Sequence, residues 1–343
     1  MTGIRATRQG IADDAALKAS LIARLNELDV AGPRRQIDLP MFEGEDIATL
    51  RSRVAAFEQQ RAQFIVANYK RTPKNREAFM RALMDVAKLA GEPLRRHFNA
   101  RAGAAHVNGM GAAFPQDEAH SDARGILAAG LRAITPKLPV VSDAPVHDMV
   151  PRHTHRWWLI NAFSGVDADD ASLGIALIDH GRPIAGIVHL PRLNRTYAGI
   201  AHAPHWCDLH TAKRARAISV KARDPRKQVA ATIYGDRKSS AFRAARNTHG
   251  ISRNFTDTGA SYGLCRLAQG SFDLYLHNRP LPQSELAPAH AILLAAGGVI
   301  HERATGAEIR YAIPHETTRS APAFIAASGP EILRMRDVRR LVA

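Results

Sequence analysis

The sequence predicts a layered α/β or α+β fold, because strand and helix patterns are mixed along the chain without strict alternation. "SLGIALIDHGRPIAGIVHL" is two apolar runs joined by "DHGRP", which is typical of a β-hairpin with Gly181 and Pro183 at its turn. Further on, "APAHAILLAAGG" has the pattern of a helix that ends at glycines. The 343 residues, 45% of them hydrophobic, are enough to bury one large core or two modest ones.

Two helices are predicted before the strand-rich part of the chain. The first has one apolar face, whose positions recur at alternating steps of three and four with Arg61 as an interruption: Ile47, Leu50, Val54, Phe57 and Phe64. The second begins near Asn75 and has Phe79, Leu83, Val86 and Leu94 on one side. Such stripes are typical of core or dimer packing rather than of a ligand site.

Further strands are predicted after the first hairpin. "TYAGIAHA" would add a third strand to it, and "SFDLYLH" has the alternation of another. "HERATGAEIRY" predicts a second hairpin around Thr305 and Gly306. These strands favour sheets that are covered by the predicted helices.

Charge and cysteine content restrict the function classes. The net charge is +15, which favours anionic partners such as nucleotides, sugar phosphates or RNA, although an arginine-rich proteome would give the same excess. The basic residues are dispersed, so a dedicated nucleic-acid-binding protein is not favoured. Two cysteines, Cys207 and Cys265, give no disulfide framework. The polar start and the absence of a long apolar run predict a soluble, cytoplasmic protein with no membrane partner.

The order of the motifs resembles the inositol monophosphatase superfamily, most closely its 3'(2'),5'-bisphosphate nucleotidase (CysQ-type) branch. The likeness covers roughly residues 76 to 330 and is carried by five segments: "GLRAITPKLPVVSDA", "WWLINAFSGV", "IALIDHGRPIAGIVHLPRLNRTYAGI", "GASYGLCRLAQGSFDLY" and "SELAPAHAILLAAGG". The resemblance implies a layered αβαβα sugar-phosphatase fold over residues 76–335, and it leaves residues 1–75 as a partly helical N-terminal extension. It also implies a homodimer, for which the first apolar helix face offers an additional surface.

Active members of that superfamily hold two or three Mg²⁺ ions with carboxylates, and the ions activate water and stabilise the leaving oxygen. Here the ligand positions that the resemblance implies are His120, Asp143, Ala144, Asn161, Ser164 and Glu285. A shift in register would put Asp117 or Glu118 at the first of them. Gly165 is retained, whereas Val166 replaces the threonine that positions the attacking water and Gly263 replaces a lysine.

The interpretation favoured by these replacements is a pseudoenzyme that needs no metal cofactor. It would keep a pocket for a phosphorylated small molecule, lined by Asn161, Ser164, Gly165 and Ser261. In the alternative, an active phosphatase on a 3'-phosphonucleotide or sugar phosphate holds Mg²⁺ through a rebuilt set: Asp143, Glu285 and one of the aspartates at 167, 169 and 170, first among them Asp167, with Asn161 coordinating through its amide oxygen. A third interpretation is RNA or protein binding through the basic surface.

Two further kinds of site stay open at this point. A zinc site would use His153 and His155, or the side chains of "HAPHWCDLH": His202, His205, Cys207, Asp208 and His210. Hydrolysis without metal would use His120 or His290 as general base and Ser164 or Ser261 as nucleophile. No serine lies in a Gly-x-Ser-x-Gly pattern.

Overall fold

The computed structural model of the protein describes residues 73–107, 116–142, 154–165, 169–201, 206–222, 226–234, 251–256, 258–311 and 320–336, and residues 46, 49, 224, 338 and 339. The chain divides into two compact units, Met1–Pro73 and Lys74–Ala343. In the first unit, the backbone N–H of Thr49 donates to Asp46 Oδ1 at 2.7 Å, the bond of a helix N-cap. The rest of the helix predicted from Ile47 to Phe64 lies outside the described residues.

Two long helices precede the first strand. They are α1, Pro73–Val107, and α2, Gln116–Ile134. The helix predicted to begin near Asn75 is therefore confirmed, and Leu83 and Leu94 on its apolar side are buried. Among the helices in the described residues, none combines the length and the apolar character that spanning a membrane requires.

The larger sheet has seven strands in the order β1 to β7. They are β1 Val140–Ser142, β2 Arg156–Ser164, β3 Ser172–Asp179, β4 Arg182–Leu190, β5 Arg195–Ile200, β6 Cys207–His210 and β7 Ala215–Ala217. β1 is parallel to β2, and the other neighbouring pairs are antiparallel. The predicted hairpin and its third strand are thus β3, β4 and β5.

The turn between β3 and β4 is shorter than predicted. It consists of His180 and Gly181, whose φ angles are +48° and +73°, the arrangement of a two-residue type I′ turn. Pro183 lies inside β4, where the register shifts beside Ile184. The prediction that Pro183 forms the turn was therefore wrong: at a bulge the ladder does not need the N–H that proline lacks.

The remaining elements build a second sheet and the helices around it. They are β8 Val229–Tyr234, β9 Ile251–Thr256, α3 Ala260–Ala268, β10 Leu274–His277, β11 Leu281–Pro282, α4 Gln283–Ala295, β12 Val299–Glu302, β13 Ser320–Ala321, β14 Phe324–Ala327 and α5 Pro330–Arg334. Five of these strands form the sheet, in the order β12-β14-β10-β8-β9. Gly297, with a φ of +91°, follows α4 as the sequence predicts for its C-terminal end.

The described elements of the second unit stack in five layers. α1 packs on the outer face of the first sheet, where Gly91 meets the ring of His189 and Phe79 lies 6.2 Å from Trp158. The core between the two sheets contains α3 and α4, and α5 packs with the opposite face of the second sheet through Ile332. The αβαβα fold that the sequence predicts is confirmed.

Three glycines on neighbouring strands let α4 approach the first sheet closely; Gly186 and Gly199 are paired, and Gly174 is offset from them by two residues. Gly174, Gly186 and Gly199 lie on β3, β4 and β5, on the face that packs against this helix. A Cβ at Gly174 would lie 2.6 Å from Pro288 Cγ, and one at Gly199 would lie 2.8 Å from Ala295 Cβ. Because no side chain separates them at these glycines, α4 packs directly on the backbone of the sheet. This contact fixes the distance between the sheet and the first turn of α4.

Candidate functional site

A β-bulge at the end of β2 places two polar side chains on one face of the sheet. Asn161 pairs with Gly174 and Ser164 with Ser172, so three steps along β2 match two steps along β3. Regular alternation would direct residues three apart to opposite faces, whereas the bulge directs both toward α4. This geometry brings together two of the positions that the sequence assigns to a ligand pocket.

The side chain of Asn161 is engaged in holding the bulge. The backbone N–H of Phe163, which lies in the irregular part of the strand, donates to Asn161 Oδ1 at 3.0 Å. An amide oxygen that accepts this bond satisfies a backbone donor that the bulge removes from the ladder. Asn161 therefore has a structural task in addition to any contact with a ligand.

Glu285 stands in the first turn of α4, opposite Ser164. The Ser164 hydroxyl, which is buried, donates to Glu285 Oε1 at 2.8 Å. Burial raises the pKa of Glu285 above its usual value; the bond from Ser164 acts in the opposite direction, and the nearby charge of Asp170 raises the pKa further. The resemblance places metal-ligating carboxylates at both positions, and the structure has a hydroxyl–carboxylate hydrogen bond there.

Asp170 is the aspartate of the acidic loop that faces this site. Its side chain is buried, and Oδ2 accepts a hydrogen bond from the backbone N–H of Gly259 at 2.7 Å. Asp169 is 71% exposed and pairs with Arg192 at 3.1 Å instead. Of the three aspartates, Asp170 thus reaches the charge environment of Glu285, Asp169 does not, and Asp167 lies outside the described residues.

Gly165 lets the chain pass close to Asp170. Its φ is +128°, a conformation that L-residues avoid, and a Cβ there would lie 2.7 Å from Asp170 Oδ1. A Cβ at Gly259 would lie 3.3 Å from the Gly165 Cα. The two glycines therefore allow the loop after β2 and the start of α3 to meet around one carboxylate.

Ser261, predicted to contact a ligand, links the two central helices. Its hydroxyl donates to the backbone carbonyl of Glu285 at 2.7 Å. This bond connects α3 to the turn of α4 that carries Glu285. The serine thus lies at the site, with its proton directed to the protein backbone.

Tyr275 fills the space beside Gly263, where the resemblance places a lysine. A Cβ at Gly263 would lie 2.6 Å from Tyr275 Cε2, so the ring occupies the path of any longer side chain. The Tyr275 hydroxyl donates to the backbone carbonyl of Thr258 at 3.1 Å. Burial raises the pKa of Tyr275 well above its ordinary value, and the charges of Glu285 and Asp170 add to this shift. Sequence reasoning missed this residue; the loss of a side chain at 263 was the available signal.

His120 lies on α2 and packs against the bulge from the other face of the sheet. Its ring stacks on Phe163 with centroids 4.5 Å apart and planes inclined by 19°. Phe163 also lies 6.2 Å from Phe98 of α1. The structure thus brings His120 to the end of β2, as its assigned position implies, within an aromatic cluster. Four further positions, Asp143, Ala144, Val166 and Asp167, lie outside the described residues and stay predictions.

The hydrogen-bond partners of the two candidate serine hydroxyls do not support hydrolysis without metal. Ser164 donates to a carboxylate and Ser261 to a carbonyl, so neither proton is directed to a histidine. His290 is buried, and its Nδ1 lies 2.9 Å from the Tyr311 hydroxyl. These two serines therefore lack the serine–histidine bond that activates a nucleophile.

The residues proposed for zinc point in different directions. The Cys207 thiol faces the core and lies 3.5 Å from the Ile292 carbonyl, whereas Asp208 and His210 alternate to the opposite face of β6. His155 stacks on His180, with ring centroids 4.4 Å apart. His153, His202 and His205 lie outside the described residues. Within the part of the chain that the structure describes, no group of three or more His, Cys, Asp and Glu side chains has the arrangement of a metal site.

Comparison with known proteins agrees with the fold. The sequence model of the Inositol monophosphatase family matches residues 75–335. The 3'(2'),5'-bisphosphate nucleotidase CysQ of Escherichia coli K12 is 29% identical over 194 residues, which are 55% of this chain and 76% of that protein. The homologue from Buchnera aphidicola is 20% identical over 212 residues, 60% of this chain and 77% of its own.

Solved structures show the same fold. CysQ from Bacteroides thetaiotaomicron, described as a bacterial member of the inositol monophosphatase family, superimposes with a TM-score of 0.58 at 18% identity, covering 72% of this chain and 96% of its own. An inositol monophosphatase from Zymomonas mobilis gives a TM-score of 0.59 at 16% identity, covering 78% and 98%. At these identities the structural likeness shows the fold alone.

Proposed function

The chain belongs to the inositol monophosphatase family, and we propose that it is a divergent member in which Mg²⁺-dependent hydrolysis of phosphomonoesters is lost or severely weakened. Its site keeps a pocket for a phosphorylated small molecule and has a binding or regulatory role. The observation that carries this function is the hydrogen bond from Ser164 to Glu285 at 2.8 Å, between two positions where the resemblance implies metal-binding carboxylates.

The described donor set does not fit a cluster of Mg²⁺ ions. Mg²⁺ takes oxygen ligands in octahedral geometry and is held in proteins chiefly by carboxylates. Here Asn161 Oδ1 accepts from Phe163, and the Ser164 hydroxyl uses its proton on Glu285. Asp170 Oδ2 accepts from the Gly259 N–H. Each of these oxygens thus has a role within the protein, so no reaction step is assigned to a metal ion.

The pocket residues are suited to binding with hydrogen bonds. Asn161 carries two amide N–H donors in addition to the oxygen used by Phe163, and Ser164 can accept a bond while it donates to Glu285. Glu285 holds its proton to a higher pH than an exposed glutamate does, because it is buried beside Asp170. Protonation of Glu285 reduces repulsion of a phosphate group, so anion binding at this site strengthens as the pH falls.

Phosphate release tests this function directly. The substrates are 3'-phosphoadenosine 5'-phosphate, chosen because the CysQ relatives are named as bisphosphate nucleotidases, with inositol and fructose phosphates as other classes. Each is incubated with Mg²⁺, Mn²⁺ or a chelator. We expect no turnover above that of a Glu285→Ala preparation. Metal-dependent turnover that disappears in Asp143→Ala would overturn the proposed loss of activity.

A gain-of-function variant provides the matched control. Asn161→Asp, Ser164→Asp and Val166→Thr together restore the residue types that the resemblance implies. We expect this triple variant to bind Mg²⁺ more tightly than the unmodified protein, shown as a metal-dependent rise in melting temperature. If the unmodified chain gains the same stabilisation from Mg²⁺, the native donor set already holds the ion.

The second candidate function is an active phosphatase with a rebuilt ligand set. The observation in its favour is Asp170, a buried carboxylate whose charge acts on Glu285. In that case Asp170→Asn and Glu285→Gln would each abolish metal-dependent turnover, whereas Asp169→Asn would not. Asp169 is the suitable control because it is exposed and paired with Arg192.

A further inference from the structure

A cavity lies at the edge of the seven-stranded sheet, beyond the C-terminal end of α3. It encloses about 370 Å³ and is lined by Arg195, Leu209, Thr211, Arg214, Arg216 and Gln269. Ser261 of the candidate site and Gln269 are eight residues apart on α3 and its C-cap, which corresponds to about 12 Å along the helix axis. The cavity is therefore separate from the site around Glu285.

Strand register directs the arginines to one face. Tyr197 of β5 pairs with Leu209 of β6, which pairs with Arg216 of β7. Arg195 and Arg214 each lie two residues from a member of this row, so all three guanidinium groups lie on the face that carries Tyr197. Arg195 comes from β5 and the other two arginines from the β6–β7 hairpin, and the sheet positions these two segments relative to one another.

The arginines of the cavity lack acidic partners in the described part of the chain. Arg195 Nη1 donates to the Tyr262 hydroxyl at 3.2 Å, which orients its guanidinium group. Other arginines of this sheet and its turns do pair with carboxylates: Arg156 with Asp179, Arg182 with Glu308, and Arg192 of the β4–β5 turn with Asp169. The lining of the cavity contains no Asp or Glu. Three positive charges thus face one space without a carboxylate among them.

We propose that this arginine pocket binds a small molecule that carries two phosphate groups. A guanidinium group matches phosphate geometry with two parallel N–H donors, and three of them suit an anion with several charges. The volume lies within the range of small-molecule sites, about 300–1,000 Å³. Leu209, which is buried, supplies an apolar floor against which the carbon part of such a ligand packs.

Calorimetric titration with inorganic pyrophosphate, and then with adenosine 3',5'-bisphosphate, tests the assignment. The variants are Arg214→Gln and Arg216→Gln, and the control is Lys213→Gln, an exposed cation on the same hairpin that does not line the cavity. We expect each arginine variant to weaken binding by about ten-fold or more, the equivalent of one charge-assisted hydrogen bond. The control should bind as the unmodified protein does.

Three results would overturn the assignment. One is the absence of pyrophosphate binding at millimolar concentration. Another is an equal loss in all three variants, which would indicate diffuse attraction by surface charge. The third is binding of a single-stranded oligoribonucleotide through these arginines without binding of pyrophosphate. Glu285→Gln separates the two sites, because pyrophosphate affinity at the arginine pocket should not change in that variant even if the candidate site binds nothing.

Discussion

Asp170 accepts a hydrogen bond from the backbone N–H of Gly259, 89 residues later in the chain, and this bond joins the loop after β2 to the start of α3. Asp170→Ala would leave a buried N–H without its partner, and we expect it to lower the free energy of unfolding by about 2 kcal/mol. Asp170→Asn keeps an oxygen in place and should cost less. Urea denaturation of both variants measures the difference.

Asp169→Ala is the control for that comparison. Its side chain is 71% exposed and its partner Arg192 is on the surface, so the expected change is below about 1 kcal/mol. Equal losses in the Asp169 and Asp170 variants would show that the bond to Gly259 contributes nothing specific.

Gly165 is predicted to tolerate no side chain. Gly165→Ala adds a Cβ 2.7 Å from Asp170 Oδ1 at a φ of +128°, so we expect a loss of about 3 kcal/mol from strain and overpacking together. Gly306→Ala has a φ of +70° and meets no atom within 4 Å; its cost should be limited to about 1–2 kcal/mol for the left-handed conformation. Thermal unfolding that ranks the two variants in the opposite order would contradict the packing at Asp170.

Glu285 should make stability depend on pH. Its pKa in the folded protein is raised above the usual value of 4.5, chiefly by burial, so between that value and the raised pKa the folded state binds more protons than the unfolded state. Stability therefore falls as the pH rises through this window. Glu285→Gln should raise the melting temperature at neutral pH, and the advantage should vanish below pH 4.5. A variant that melts below the unmodified protein at neutral pH would show that the charged form is favoured in the fold.

The cost in stability of a side chain at position 263 is predicted to depend on Tyr275. Gly263→Ala would bring a Cβ to 2.6 Å from the Tyr275 ring and should destabilise the protein by about 1–3 kcal/mol. In a Tyr275→Leu background the contacted ring atoms are absent, so the cost should shrink. Denaturation of the two single variants, the double variant and the unmodified protein measures the coupling between positions 263 and 275.

Gly125→Ala in α2 is a contrasting case. A Cβ there meets no atom within 4 Å, so we expect this variant to stabilise the protein by about 0.5–1 kcal/mol, as for an open helix position.

Most of the fold could be predicted because it follows from local patterns. The β3–β4 hairpin, α4 with its terminal glycine, and the bridge between His301 and Glu308 in the second predicted hairpin all depend on periodicity and turn residues. The wrong part was the turn itself. His180 adopts a positive φ, which the residue type histidine does not by itself predict. The bulge beside Pro183 depends on the pairing of β4 with β3.

The site was less predictable because its geometry depends on non-local contacts. Sequence could name three aspartates after β2, but it could not select Asp170, whose orientation follows from the N–H of Gly259. It also could not show that a bulge aligns Asn161 with Ser164, since the extra residue is defined only against β3. Tyr275, on β10, was missed because its role depends on the absence of a side chain at Gly263 of α3.

The glycines beneath α4 have a mechanical consequence for the site. Gly199 lies under the C-terminal end of the helix and Glu285 stands in its first turn, about 15 Å away along the axis. A methyl group added at Gly199 would push the C-terminal end of α4 away from the sheet. Because Pro288, nearer the N-terminal end, packs on Gly174, the helix would tilt about that contact. The carboxylate would then move in the opposite sense. A substitution at Gly199 can thus change the position of the Glu285 carboxylate without contacting the site itself.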